Sequence, residues 1–200
     1  MFGAGVRPPT TIHSLKGTFW VNANQKRTND FVKHVRRTAK LVNVRVVLRK
    51  EKKLFCNSNP KDKVNGYFSE PEGRRAGTIT VAVNRPRSKW LGCLAHEFGH
   101  MCQWFFNQDV WSDCEIPRHG DATEIIQEWE QGEEYPTSVV EKAFKAVRKL
   151  EQDADEKAMM YIEEWKLPVD LYTYQAESTN YDYSYSMMLK NRKWKYMRRK

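Results

Sequence analysis

The chain has 200 residues and a formal net charge of +9, with 40% hydrophobic and 30% charged residues. That length suits one domain with its own core, and no apolar run is long enough to span a bilayer. The N-terminal MFGAGVRPPT lacks an apolar segment, so no secretion signal is expected. Cys56, Cys93, Cys102 and Cys114 match neither a zinc ribbon nor a CxxC pair, and a reducing cytoplasm is the expected location.

In chain order, residues 1–18 read as an extended arm, followed by a single domain over 19–189 and a basic tail over 190–200. Residues 30–40 predict a basic helix capped by Asp30, and 41–48 a strand rich in β-branched residues. A loop is expected over 57–63, a short strand over 66–69, a turn over 70–77 and a strand over 78–84. Pro86 interrupts that pattern and Ser88 is the expected cap of an apolar helix reaching Phe106. Residues 107–120 read as irregular. A short helix over 121–130 starts on Asp121 and stops at Gly132. A long helix follows Pro136, with Ser138 and Glu141 as a capping box, and runs to Lys166 before Leu167-Pro168. The remaining Tyr-rich stretch alternates at Tyr181, Tyr183 and Tyr185, which hints at extended structure while leaving a helix open. Strands followed by helices indicate an α+β fold.

His96-Glu97-Phe98-Gly99-His100 reads H-E-x-x-H on the predicted apolar helix. Residues four apart share a helix face, so both imidazoles can reach one ion while Glu97 stands beside it as a general base. Such a zinc site needs a third protein ligand and an open position. The long helix offers one. Its apolar stripe reads Val140, Phe144, Val147, Glu151, Ala154, Ala158, Tyr161 and Trp165. A carboxylate inside an apolar stripe is costly unless something pairs with it, and a metal ion would. Asp155, one turn on, can accept a proton from a ligand histidine, whereas Asp153 projects elsewhere. His119, in Arg118-His119-Gly120, is the alternative third ligand. Tyr181, Tyr183 and Tyr185 are candidate oxyanion donors, and the strand over 78–84 a candidate partner for an extended peptide.

Glu151-Gln152-Asp153-Ala154-Asp155-Glu156-Lys157-Ala158 matches E-x-x-A-D-x-x-A and resembles the second motif of gluzincins, the HExxH peptidases with a glutamate as third ligand. The CaaX-processing membrane proteases carry this form and thermolysin-type enzymes share its E-x-x-x-D core. The transmembrane helices of the CaaX group are missing here. From HEFGHMCQW through LEQDADEKA and LPVD to RKW, the chain also resembles uncharacterised metallopeptidase-like proteins of tailed phages. The resemblance implies a zincin-like fold, a small mixed or antiparallel sheet packed on the HExxH helix with a second long helix carrying the third ligand. It also implies one Zn2+ held by His96, His100 and Glu151, and a protein or peptide substrate. HEFGH with a later RHG is similar as well to SprT-like proteases, which act on proteins crosslinked to DNA and would use His119. Those have a shorter gap and an apolar residue where this chain has Asp121-Ala122-Thr123. The aromatic-interleaved basic tail can hold phosphate backbones, which keeps open a nucleic-acid-binding protein with a zinc site.

Overall fold

The computed structural model describes residues 13–55, 63–106 and 108–193. Thirteen elements follow in order: α1 (His13–Leu41), β1 (Val44–Arg49), β2 (Leu54–Phe55), β3 (Lys63–Val64), β4 (Gly66–Ser69), β5 (Gly77–Ala82), α2 (Arg87–Phe106), α3 (Gln108–Ser112), β6 (Glu115–Ile116), β7 (Gly120–Asp121), α4 (Ala122–Gln131), α5 (Thr137–Glu164) and α6 (Leu171–Asn191). The architecture is α+β, and no helix among the described residues is long and apolar enough to cross a membrane.

Several elements differ from expectation. Residues 13–18 belong to α1 and are not an arm; residues 1–12 lie outside the described residues. Asp30 sits mid-helix and caps nothing, because Phe31, Val35 and Ala39 continue a buried stripe that already includes Thr28. The strand expected over 41–48 is displaced by a turn at Val42 and Asn43, whose φ of 56° reverses the chain. The irregular stretch contains α3 and the β6–β7 hairpin, elements too short for periodicity to reveal. Ser88 lies inside α2, and Ser138 inside α5, whose N-cap is Pro136. Asp121 does cap α4, accepting from the Thr123 and Glu124 amides at 2.8 and 3.1 Å, and Gly132 ends it with φ 118°. The Tyr-rich stretch is helix α6, with Asp170 accepting from the Thr173 amide. Its tyrosine alternation misleads because Tyr181 and Tyr185 share one helical face and Tyr183 faces out. The expected basic tail begins later too: α6 runs to Asn191, Arg192 donates to the Trp129 and Glu133 carbonyls, and residues 194–200 lie outside the described residues.

The main sheet has the order β1-β5-β4, with β1 parallel and β4 antiparallel to β5. β5 is therefore central, and both its sides are paired. The expectation that its residues receive an extended peptide fails on that ground; among the described residues, β4 is the strand with an unpaired side near α2. Val44 of β1 and Ile79 and Val81 of β5 join Phe31, Val35, Leu91, Leu94, Phe98, Ala158 and Ile162 in one core. A second core joins Ile125 and Ile126 of α4, Val140, Phe144 and Val147 of α5, and Tyr185 and Met188 of α6. α5 runs through both, and Glu151 falls at the seam between them.

α2 and α5 cross closely at Gly99. A Cβ there would lie 2.9 Å from the Ala154 carbonyl oxygen and 3.3 Å from its Cα. Both are backbone atoms with little room to yield. Gly99→Val is expected to destabilise the fold by about 1–3 kcal/mol through overpacking and to weaken divalent-ion binding, because it wedges the two helices apart. Urea denaturation and a chelator-competition titration check the two effects.

Candidate metal centre

α2 turns His96 and His100 to the α5 side because its register also buries Leu94, Ala95, Phe98 and Met101. α5 returns Glu151 by its own stripe. The donor atoms converge: His96 Nε2 lies 3.1 Å from His100 Nε2 and 3.3 Å from Glu151 Oε2, and His100 Nε2 lies 3.7 Å from Glu151 Oε1. Ligand atoms around a tetrahedral zinc stand about 3.3 Å apart, given metal–ligand bonds of about 2.0–2.1 Å. These three side chains form a group able to hold a metal ion.

The hydrogen bonds around the imidazoles decide their tautomers. His96 Nδ1 meets Asp155 Oδ1 at 2.8 Å, and a carboxylate only accepts, so Nδ1 carries the proton. Gln103 Nε2 donates to the Leu150 carbonyl at 2.7 Å and to Asp153 Oδ2 at 2.8 Å, which leaves its Oε1 to accept from His100 Nδ1 at 2.8 Å. Both Nε2 atoms of the neutral rings are then bare lone pairs, aimed at each other and at a carboxylate. Only a proton or a cation reconciles three acceptors at such distances. Burial works against a charged His96, yet its hydrogen bonds to Asp155 and Glu151 outweigh that and lift its pKa well above the ordinary histidine value. Burial pushes His100 down, helped by the charge on His96. Burial also opposes ionisation of Glu151, but the His96 hydrogen bond and the charge on His100 hold its pKa below normal. The cluster thus keeps one positive charge in its middle when no metal supplies it.

A brace surrounds these groups. Tyr174 donates to Asp155 Oδ1 at 2.7 Å and Ser178 donates to Asp155 Oδ2, so α6 fixes the carboxylate that fixes His96. Asp153, also paired with Lys157, stands behind Gln103. Neither Gln103 nor the two α6 hydroxyls could be read from periodicity, since their roles depend on which helix packs where. Gly66 brings β4 onto α2: a Cβ there would lie 2.6 Å from Cys93 Sγ and 3.2 Å from Glu97 Cγ. The Phe68 amide donates to the buried Glu97 carboxylate. Burial pushes the Glu97 pKa up to about 7 against the opposing charge of His96. Trp111 of α3 stands edge-on to His100 and Phe68, with ring centroids 6.2 and 6.0 Å away, and forms a wall that the sequence did not announce.

The other candidates separate. His119 is exposed on the β6–β7 turn, its ring 6.3 Å from that of Tyr135, outside the His96–His100–Glu151 group. Tyr181 and Tyr185 face the site with hydroxyls 3.5 Å apart, both near enough to Glu151 for its charge to help raise their pKa values beyond the effect of burial. Tyr183 is 46% exposed and points away, a correction to its candidacy as an oxyanion donor. Comparisons with family models, curated proteins and solved structures found no match for this chain.

The braces predict that Asp155→Ala and Gln103→Ala each lower divalent-ion affinity about 10–100-fold, read by competition with a chromophoric chelator, with far-UV circular dichroism unchanged. A second expectation concerns pH. In the metal-free protein the folded Glu97 binds its proton up to about 7, while the unfolded chain releases it near 4.5. Stability from this group is full below the lower value and lost as pH rises through the upper one. Glu97→Gln, neutral at every pH, should therefore gain urea midpoint over wild type between pH 5 and 8 in chelator, and a pH-independent difference would contradict the shift.

Proposed function

We propose that this chain is a zinc-dependent peptidase of HExxH type, with one zinc ion held by His96, His100 and Glu151 and with Glu97 as general base. The observation that carries the reading is the convergence of the His96 and His100 Nε2 atoms on the Glu151 carboxylate, with the buried Glu97 alongside. A bound zinc ion would supply Lewis-acid activation of a water and of the scissile carbonyl.

The chain's own residues do the rest. Glu97, poised near neutrality and oriented by the Phe68 amide, takes a proton from the attacking water and passes it to the leaving amine. Asp155 and Gln103 keep the Nδ1 protons in place, so both Nε2 atoms stay available. Tyr181 is the donor best placed to steady the developing oxyanion, and Tyr185 supports its hydroxyl. The open side of β4 can add a peptide strand beside Glu97, since Gly66 seats that strand against α2. Cys93, Cys102 and Cys114 are free thiols, which suits a reducing compartment such as the cytoplasm.

Glu97→Gln is expected to retain one zinc per chain while cleavage of an unstructured protein substrate falls about 10²–10⁴-fold. Glu151→Ala is expected to lose the metal and the activity together. Elemental analysis and a fluorogenic protein-digestion assay read both. A wild type as inert as Glu97→Gln across varied peptides and unfolded proteins would overturn the peptidase reading while leaving the metal site standing.

A further inference from the structure

Charge is segregated along this chain. Residues 26–90 carry eighteen Lys or Arg against five Asp or Glu, and residues 107–191 carry eight against nineteen. Among the described residues of the basic stretch, Lys89 is the one cation in ion-pair contact with a carboxylate, Glu177.

Two of its other cations meet at one end of the candidate site. The β1–β5 ladder continues past both strands, with the Val83 amide donating to the Arg49 carbonyl at 2.8 Å and the Asn84 amide to the Glu51 carbonyl at 3.0 Å. β1 lies on one side of β5 and β4 on the other. Yet Leu54 pairs with Val64, in the strand that leads into β4. Residues 52–53 therefore cross the end of β5, where Arg85 follows Asn84. The same register sets Lys53 opposite Asn65, the residue before Gly66. Gly66 is where β4 rests on α2, against Cys93 and Glu97. Backbone pairing thus delivers two cations to the start of β4.

Charge effects agree with that placement. Burial and then the Arg85 charge lower the Lys53 ammonium. Burial and the Glu97 charge push the Cys93 thiol up, and Arg85 and Lys53 act against them. Both cations therefore lie within electrostatic reach of a thiol whose Sγ stands 3.9 Å from Glu97 Oε1. Lys53 is exposed and Arg85 half-buried, so an incoming group can meet both. Among the described residues neither is in ion-pair contact with a carboxylate. Lys63 nearby differs, since its ammonium lies 5.6 Å from the Phe55 ring centroid. Two like charges held together are unfavourable, and one carboxylate between them relieves both.

We infer that Lys53 and Arg85 form a cationic subsite that selects peptides with an acidic side chain on the C-terminal side of the scissile bond. The inference rests on the peptidase reading above and names its substrate class. Antiparallel pairing is the stronger per residue and is the pairing β4 makes with β5. A peptide adding to the unpaired side of β4 in that sense runs from Ser69 toward Gly66. Its residues beyond Glu97 then reach the Lys53–Arg85 end. The opposite end is apolar: Phe68 shares the Gly66 side of β4, and its ring stands edge-on to Trp111 with centroids 6.0 Å apart.

The test uses the zinc-loaded full chain and pairs of fluorogenic peptides that differ by a single Glu or Lys, moved through successive positions on either side of the cleaved bond. Glu is expected to exceed Lys about tenfold in kcat/KM just C-terminal to the bond, the scale of two partly exposed ion pairs, with the preference shrinking as salt rises. Lys53→Ala with Arg85→Ala should erase the preference. Lys53→Glu with Arg85→Glu should invert it in favour of Lys, which a general loss of structure would not do. Lys33→Glu with Lys40→Glu, at exposed positions of α1, changes net charge equally and should leave the preference within about twofold. Zinc-loaded Glu97→Gln reads the same preference as binding, by anisotropy of labelled Glu and Lys peptides. Binding that favours Glu, without cleavage by wild type, would overturn the peptidase reading and keep the subsite. Cleavage at equal rates for Glu and Lys, a Glu preference confined to the N-terminal side, or one untouched by the reversal would overturn the subsite and keep the peptidase. Absence of both cleavage and peptide binding would overturn both.

Discussion

Two imidazole nitrogens 3.1 Å apart, each within 3.7 Å of an oxygen of one carboxylate, are the constraint around which this chain is organised. Acceptors do not gather in a half-buried site without a positive charge to hold them. A proton on His96 serves when no ion is present, and the proposed zinc would replace it. The convergence requires two helices to approach more closely than ordinary side chains allow, and Gly99 against the Ala154 backbone makes that approach possible. The site therefore depends on a residue that contributes no chemistry.

Rigidity comes from polar contacts arranged in layers. Each imidazole of the pair has its outer nitrogen tied to a fixed acceptor, and each acceptor is itself tied down, Asp155 by Tyr174 and Ser178, Gln103 by Leu150 and Asp153. Buried polar groups are stable only when such chains of partners close. Here they close through three helices, so α6 takes part in the site without offering a ligand. α5 links two hydrophobic cores, and the polar cluster occupies the gap between them. Loosening either core would be felt at Glu151.

Charge follows a different plan from packing. The basic and acidic stretches occupy consecutive parts of the sequence, yet Lys89 reaches Glu177 across 88 residues to join them. The sheet and α1 carry the uncompensated positive side, while α4, α5 and α6 carry the negative side.

The residue pattern alone determined the α2 motif, the approximate extents of α2, α4 and α5, the two caps of α4 and the carboxylate on the α5 stripe. These are local: helical period, cap chemistry and the misfit of a charge on an apolar face act within a few turns. It did not determine α1 from His13 onward, α3, the β6–β7 hairpin or the helical state of the Tyr-rich segment, where propensity is weak or the element is shorter than a period. Nor could it place β5 in the middle of the sheet, turn Tyr183 outward, put His119 on an exposed hairpin turn or choose Gln103, Tyr174 and Ser178 as braces. Those assignments depend on which surfaces meet across 20 to 90 residues of chain, and that is decided only when the helices and the sheet bury their apolar faces against one another.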